Sequence, residues 1–183
     1  MDGRILALIE AFLEQGVLDG LAEWTPERGT PQGAVCSPLL SNIYLDPLDH
    51  LMAGLGFEMV RYADDFVVLC RSPQEAAAAL AEVQQWTVSA GLTLHPSKTR
   101  LVDERDGFDF LGYRFKAGRR WPRKKSLRKF RDTIRAKTKR TAGHSLPHII
   151  AEVNRTVRGW YEYFKHSCPP TFKAEDGWIR RRL

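Results

Sequence analysis

Asp64 and Asp65 stand side by side in the run Val60-Arg61-Tyr62-Ala63-Asp64-Asp65-Phe66-Val67-Val68-Leu69-Cys70, with apolar, β-prone residues on both flanks. Two adjacent carboxylates in such a run repel one another and resist desolvation. A divalent cation relieves both problems, because it takes hard oxygen ligands. An exposed turn between two short strands accounts for the same residues without a metal, since aspartate favours turns. The pair alone is compatible with either.

A second chemistry lies downstream. Residues 1–115 hold 8 Lys/Arg against 17 Asp/Glu, whereas residues 116–183 hold 20 against 5. Between Lys116 and Arg140, 13 of 25 residues are Lys or Arg, opposed by Asp132. Such an asymmetry points to two functional surfaces, the basic one meeting a polyanion. A solvated helix or a disordered arm has the same charge. Trp121, Phe130, Trp160, Tyr161, Tyr163 and Phe164 in the same region favour a folded nucleic-acid surface. His144, His148, His166 and Cys168 are not read as a zinc site, because Pro147 interrupts the helix and paired-ligand spacing is absent.

The elements that must position these groups are visible in the pattern. At 183 residues the chain can bury a core in one domain or two. Ile5, Leu8, Ile9, Phe12 and Leu13 form one helical face, with Gly16 placed to end it. A Pro/Gly/Thr-rich loop spans Glu23 to Gly33, and Ser37-Pro38 reads as an N-cap with proline in the first turn. Pro47 must kink the following helix or restart it, with Asp46 as a second cap. Phe57 to Cys70 reads as two strands joined at Ala63-Asp64-Asp65. Ser72-Pro73-Gln74-Glu75 is a capping box opening a helix that Gly91 closes. Short strands are expected at 92–95 and 99–102 around a Pro96-Ser97-Lys98 turn, and a single strand over Phe108 to Phe115. Ile149, Ile150, Val153, Val157, Trp160 and Tyr161 then recur at helical spacing. The whole predicts an α+β domain followed by a small basic helical unit. Three widely spaced cysteines and no apolar run long enough to span a bilayer lead to a reduced, cytoplasmic protein as the expectation.

Four segments occur in a meaningful order: Gly29-Thr30-Pro31-Gln32-Gly33 with Ser37-Pro38-Leu39-Leu40-Ser41-Asn42-Ile43-Tyr44-Leu45; Tyr62-Ala63-Asp64-Asp65; Gly91 through Pro96-Ser97-Lys98-Thr99; and Phe108-Asp109-Phe110-Leu111-Gly112-Tyr113. The series resembles the palm of reverse transcriptases, specifically the group II intron reverse transcriptase/maturase family. Val153 through Arg158-Gly159-Trp160-Tyr161 to Phe164, and Phe172 through Trp178 to Arg182, resemble that family's maturase-specific domain.

The resemblance implies residues 1–115 as a partial palm of antiparallel strands packed with helices, and residues 116–183 as a thumb/maturase unit. It implies RNA-directed DNA polymerisation with Mg2+, acting on intron or template RNA, a DNA primer and deoxynucleoside triphosphates. Asp64 and Asp65 would be catalytic metal ligands; Tyr62 and Ala63 would line the primer terminus and nucleotide sugar. Gln32 and Gly33 would contact nucleotide and template, and Lys98 the triphosphate. Phe110-Leu111-Gly112-Tyr113 would support the primer, although its aromatics serve a core equally well. Arg123, Lys124, Lys125, Arg128, Lys129 and Arg135 would contact phosphates, and Arg158 would read RNA shape or stack on a base. Trp160, Tyr161 and Phe164 are read as core. The family's first catalytic aspartate has no counterpart in the sequence, nor do the fingers, and the maturase unit is expected to be incomplete. The isolated chain is therefore expected to be inactive as a polymerase, its missing part supplied by a complementing polypeptide or dimer. A non-catalytic RNA-binding maturase module and a remnant of a mobile element are the alternatives.

Overall fold

The computed structural model describes residues 3–14, 16–19, 22–24, 36–139, 141 and 143–183. The chain divides into two compact units, residues 1–96 and 97–183. Residues 97–115 contain four Lys/Arg and four Asp/Glu, so the charge asymmetry follows the unit boundary as well as it follows residue 115.

In the first unit, α1 (Gly3–Leu13) forms where the apolar spacing predicts it, yet it buries no residue. A hairpin of β1 (Val17–Asp19) and β2 (Ala22–Trp24) follows. Helix α2 (Ser37–Gly54) is capped by Cys36 rather than Ser37, and no side chain bonds its first amides. It runs through Pro47 without a restart, so Asp46 is not a second cap. Strands β3 (Glu58–Tyr62) and β4 (Asp65–Leu69) pair antiparallel in the expected hairpin. Helix α3 (Pro73–Ser89) starts at the predicted capping box: the Glu75 amide donates to Ser72 Oγ at 3.1 Å. The reciprocal bond comes from the Arg71 amide to Glu75 Oε2, at 2.6 Å. Gly91, at φ +67°, closes α3 with its amide on the Val88 carbonyl and the Leu92 amide on that of Thr87, a Schellman motif. Leu48 and Met52 of α2 and Ala79 and Val83 of α3 form the core, against Met59, Phe66 and Val68 on one face of the hairpin.

The segments 92–95 and 99–102 are not strands. The Pro96-Ser97-Lys98 turn is present, but its flanks pair with no ladder among the described residues, and composition cannot supply a partner edge. Leu94 instead packs against the first core.

The second unit begins with a three-stranded meander, β5 (Phe108–Phe110), β6 (Tyr113–Lys116) and β7 (Arg119–Pro122). The single strand expected over Phe108 to Phe115 is thus a hairpin. Leu111 and Gly112 both take positive φ, 46° and 79°, as a two-residue turn matched to strand twist requires. Leucine is a poor advertisement for that conformation, which is why the sequence hid the turn. Three helices complete the unit: α4 (Lys124–Lys137), α5 (Leu146–Phe164) and α6 (Pro170–Arg180). Phe130, Ile134, Val153 and Ile179 form its core, with Trp160 and Trp178 packed against it. Phe164 is buried as expected, whereas Tyr161 is exposed and meets Phe172 edge-on. Arg131 binds Glu175 bidentately at 2.9 and 2.6 Å, joining α4 to α6. Lys137 Nζ meets Glu152 at 2.7 Å, joining α4 to α5 and holding that carboxyl below its ordinary range.

Candidate functional site

The carboxylate pair sits at the tip of the β3–β4 hairpin. Tyr62 pairs with Asp65, so Ala63 and Asp64 are the two residues of the turn and Asp65 opens β4. Ala63 has φ +53°, a conformation that glycine or asparagine normally supplies. The parity of the hairpin separates two faces. Met59, Arg61, Phe66 and Val68 face the helices; Val60, Tyr62, Asp65 and Leu69 lie on the opposite, exposed face. The structure therefore brings Tyr62, Ala63, Asp64 and Asp65 together, both carboxylates in solvent and held by a buried strand face.

Two adjacent, solvent-facing carboxylates are suitable donors for Mg2+, which keeps several waters and takes one or two carboxylates besides substrate phosphates. Among the described residues no third Asp, Glu, His or Cys joins them into a cluster able to hold a metal ion. The donor set fits one hydrated cation and stops short of a two-metal site.

Sequence reasoning missed the groups behind the turn. Arg61 Nε donates to Asp49 Oδ1 at 2.8 Å, and Nη2 bonds Oδ2 of the same carboxylate. Nη1 donates to Asn42 Oδ1 at 3.0 Å and to the Ala63 carbonyl at 2.9 Å. The Asp49 hydrogen bond raises the Arg61 pKa above its ordinary value, against burial. Asp49, read from sequence as a surface residue, is an ion-pair partner. The available signal was parity: an arginine on the core-facing side of a strand must find a carboxylate.

Gln32 and Gly33 lie outside the described residues. Lys98 is exposed in the turn at the start of the second unit. Phe110-Leu111-Gly112-Tyr113 is the β5–β6 turn, embedded in its own unit. Gly112 O accepts from the Arg123 amide at 2.9 Å and from Ser126 Oγ at 3.0 Å, and Tyr163 donates to Leu111 O at 2.8 Å.

The basic side chains gather on α4. Lys124, Lys125, Arg128, Lys129 and Arg135 are exposed, on the side of the helix away from Phe130 and Ile134. Among the described residues none of the first four has a carboxylate within ion-pair distance, while Arg135 bonds Asp132 at 2.6 Å. Arg123 differs: it is half-buried, and its Nε is enclosed without a described partner. Arg158 lies on α5, where it lines a surface depression of about 380 Å³ with Ala151, Asn154 and Arg155. The first turn of α4 has no acid and two lysines, an arrangement that opposes the helix dipole. No described helix is long and apolar enough to cross a membrane.

The family model described as reverse transcriptase (RNA-dependent DNA polymerase) matches residues 4–115, and the chain belongs to that family. The group II intron maturase-specific domain matches residues 127–183, which makes it a group II intron reverse transcriptase/maturase fragment. Protein YkfC of Escherichia coli K12 is 30% identical over 148 residues, covering 62% of this chain and 39% of that protein. Group II intron-encoded protein LtrA of Lactococcus lactis is 40% identical over 60 residues, covering 33% of this chain and 10% of that protein. An uncharacterized 91 kDa protein in a cob intron of Schizosaccharomyces pombe is 26% identical over 171 residues, covering 61% of this chain and 21% of that protein. The chain spans about two-fifths or less of each.

Proposed function

We propose that this chain binds folded intron RNA through its second unit and carries part of the site of an RNA-directed DNA polymerase in its first. The observation that carries the RNA half is α4: four cations without carboxylate partners on one exposed face, two of them in the first turn, backed by a packed core. A solvated structural helix gains nothing from placing lysines against its own dipole, whereas phosphates compensate both.

In the polymerase half, Mg2+ supplies charge neutralisation at the transferring phosphate and activation of the primer oxygen. Asp64 is the principal ligand and Asp65 supports it. Tyr62 and Ala63 border the primer terminus and nucleotide sugar, Gln32 and Gly33 contact nucleotide and template, and Lys98 faces the triphosphate. The apolar outer face of the hairpin, Val60 and Leu69 beside Tyr62, suits cover by further palm structure. With two carboxylates and no described third group, the isolated chain depends on a complementing polypeptide or a second copy for polymerisation.

Full-length chain titrated with a structured RNA tests the reading. Replacing Lys124, Lys125, Arg128 and Lys129 together by glutamine should reduce the slope of log affinity against log salt by about 3–4. Unchanged slope and affinity would remove the RNA-binding surface from α4. The same preparation should extend no primer on an RNA template with Mg2+; extension abolished by Asp64→Asn would show that the site is complete without a partner.

A further inference from the structure

Arg61 has no part in the polymerase chemistry outlined above, yet its guanidinium is the best-connected group near the turn. Its side chain is 10% exposed, and that of its partner Asp49 36%. If its purpose were to neutralise Asp49, the two-toothed contact through Nε and Nη2 would suffice. The third nitrogen does something else: Nη1 bridges Asn42 on α2 and the backbone carbonyl of Ala63. That carbonyl belongs to the peptide joining Ala63 to Asp64, so the plane in which Asp64 begins is tied to the helix.

Electrostatics supports a mechanical purpose. A fixed cation beside two carboxylates weakens their hold on Mg2+, so Arg61 is badly chosen as an electrostatic aid. The turn, in contrast, needs mechanical support. It closes a sheet of two strands, a marginal structure by itself, and its first residue is an alanine at positive φ. A donor fixed on the Ala63 carbonyl selects one direction of that peptide from the alternatives open to the turn. Arginine alone does all of this at once, because its planar fork offers donors on two edges.

We propose that Arg61 is a positioning residue, held by Asp49 and Asn42, that fixes the Ala63–Asp64 peptide and thereby aims the carboxylates of Asp64 and Asp65. Its consequence for metal binding rests on the reading of those aspartates as ligands; its consequence for the turn does not.

The test uses the full chain with Arg61→Lys and Asn42→Ala, followed by nuclear magnetic resonance. Arg61→Lys keeps the charge next to Asp49 and cannot reach all three partners. Asn42→Ala removes one exposed acceptor and leaves the core untouched, so it decides the matter should Arg61→Lys disturb the fold. Both should lower backbone order parameters at Ala63, Asp64 and Asp65 while the shifts of α3 stay put. Mn2+ titrated against those amides should bind about tenfold more weakly to Arg61→Lys, the low end for groups that orient metal ligands. Wild-type order at the turn in both variants would overturn the proposal. If Asp64→Asn binds Mn2+ as the wild type does, the metal reading fails instead, and the order parameters still decide the clamp.

Discussion

The two units solve the burial problem differently. The helical unit hides its apolar surface: Ile134 and Val153 are fully enclosed, and Trp160 stacks on Phe130 with ring centroids 4.3 Å apart. The unit that carries the aspartates leaves much of its own exposed. The α1 face, Leu39 and Ile43 of α2, and Val60 and Leu69 of the hairpin are all open. An antiparallel sheet with one wet face normally shows polar residues there. The hairpin departs from that rule beside its two carboxylates. A thin layer thus displays acids and apolar surface together, while a closed helical bundle displays cations. One unit is built as half of something, the other as a surface.

This contrast predicts two independent stabilities. Met52→Ala empties a fully buried site in the first core, and Ile134→Ala does the same in the second. Each should cost about 2–5 kcal/mol in its own unit. Hydrogen exchange should then rise in α2, α3 and the β3–β4 hairpin for Met52→Ala, and in α4 to α6 for Ile134→Ala. The smaller core of the first unit gives its variant the greater loss of protection. Simultaneous loss across both units in either variant would break the comparison, because the chain would then be unfolding as one body.

How far the sequence could be read follows the same division. The helices and the carboxylate hairpin were legible because their signals are local: apolar spacing, a capping box, an alternating run. Phe108 to Phe115 was misread because its turn uses Leu111 at positive φ, a choice that context permits and propensity does not announce. The segments flanking Pro96 look like strands and have no ladder, which no local pattern could reveal. Asp64 and Asp65 stood out by type, whereas Arg61 and Asp49 did not, since an ion pair twelve residues apart exists only once α2 lies against the hairpin. Trp160 and Phe164 followed the helical stripe into the core, while Tyr161, one position round the helix from Trp160, stayed exposed.

A weaker effect is expected at Glu175, the buried anchor of Arg131. Its side chain is 5% exposed and its partner's 41%. Removing one member of a fully buried pair costs several kcal/mol, but solvent reaches this arginine and screens the loss. Glu175→Gln should therefore lower the stability of the helical unit by about 1–2 kcal/mol. Chemical denaturation followed by the fluorescence of Trp160 and Trp178 would measure it. A loss as large as that of Ile134→Ala would mean that the ion pair, not the apolar core, organises the bundle.

The smallest change has the opposite sign. Ala63 holds its turn at φ +53°, where a β-carbon crowds the backbone. Glycine removes that crowding but adds freedom to the unfolded chain, so Ala63→Gly should change stability by no more than about 1 kcal/mol, in the stabilising direction. Hydrogen exchange in β3 and β4 would register it, with the helical unit as internal reference. A destabilised hairpin would mean that the Ala63 methyl makes contacts that outweigh its strain. A stabilised one would mean that the turn carries strain at the base of Asp64, in the thin layer rather than the closed bundle. That is where a site needing two like charges in one fixed direction has most reason to keep it.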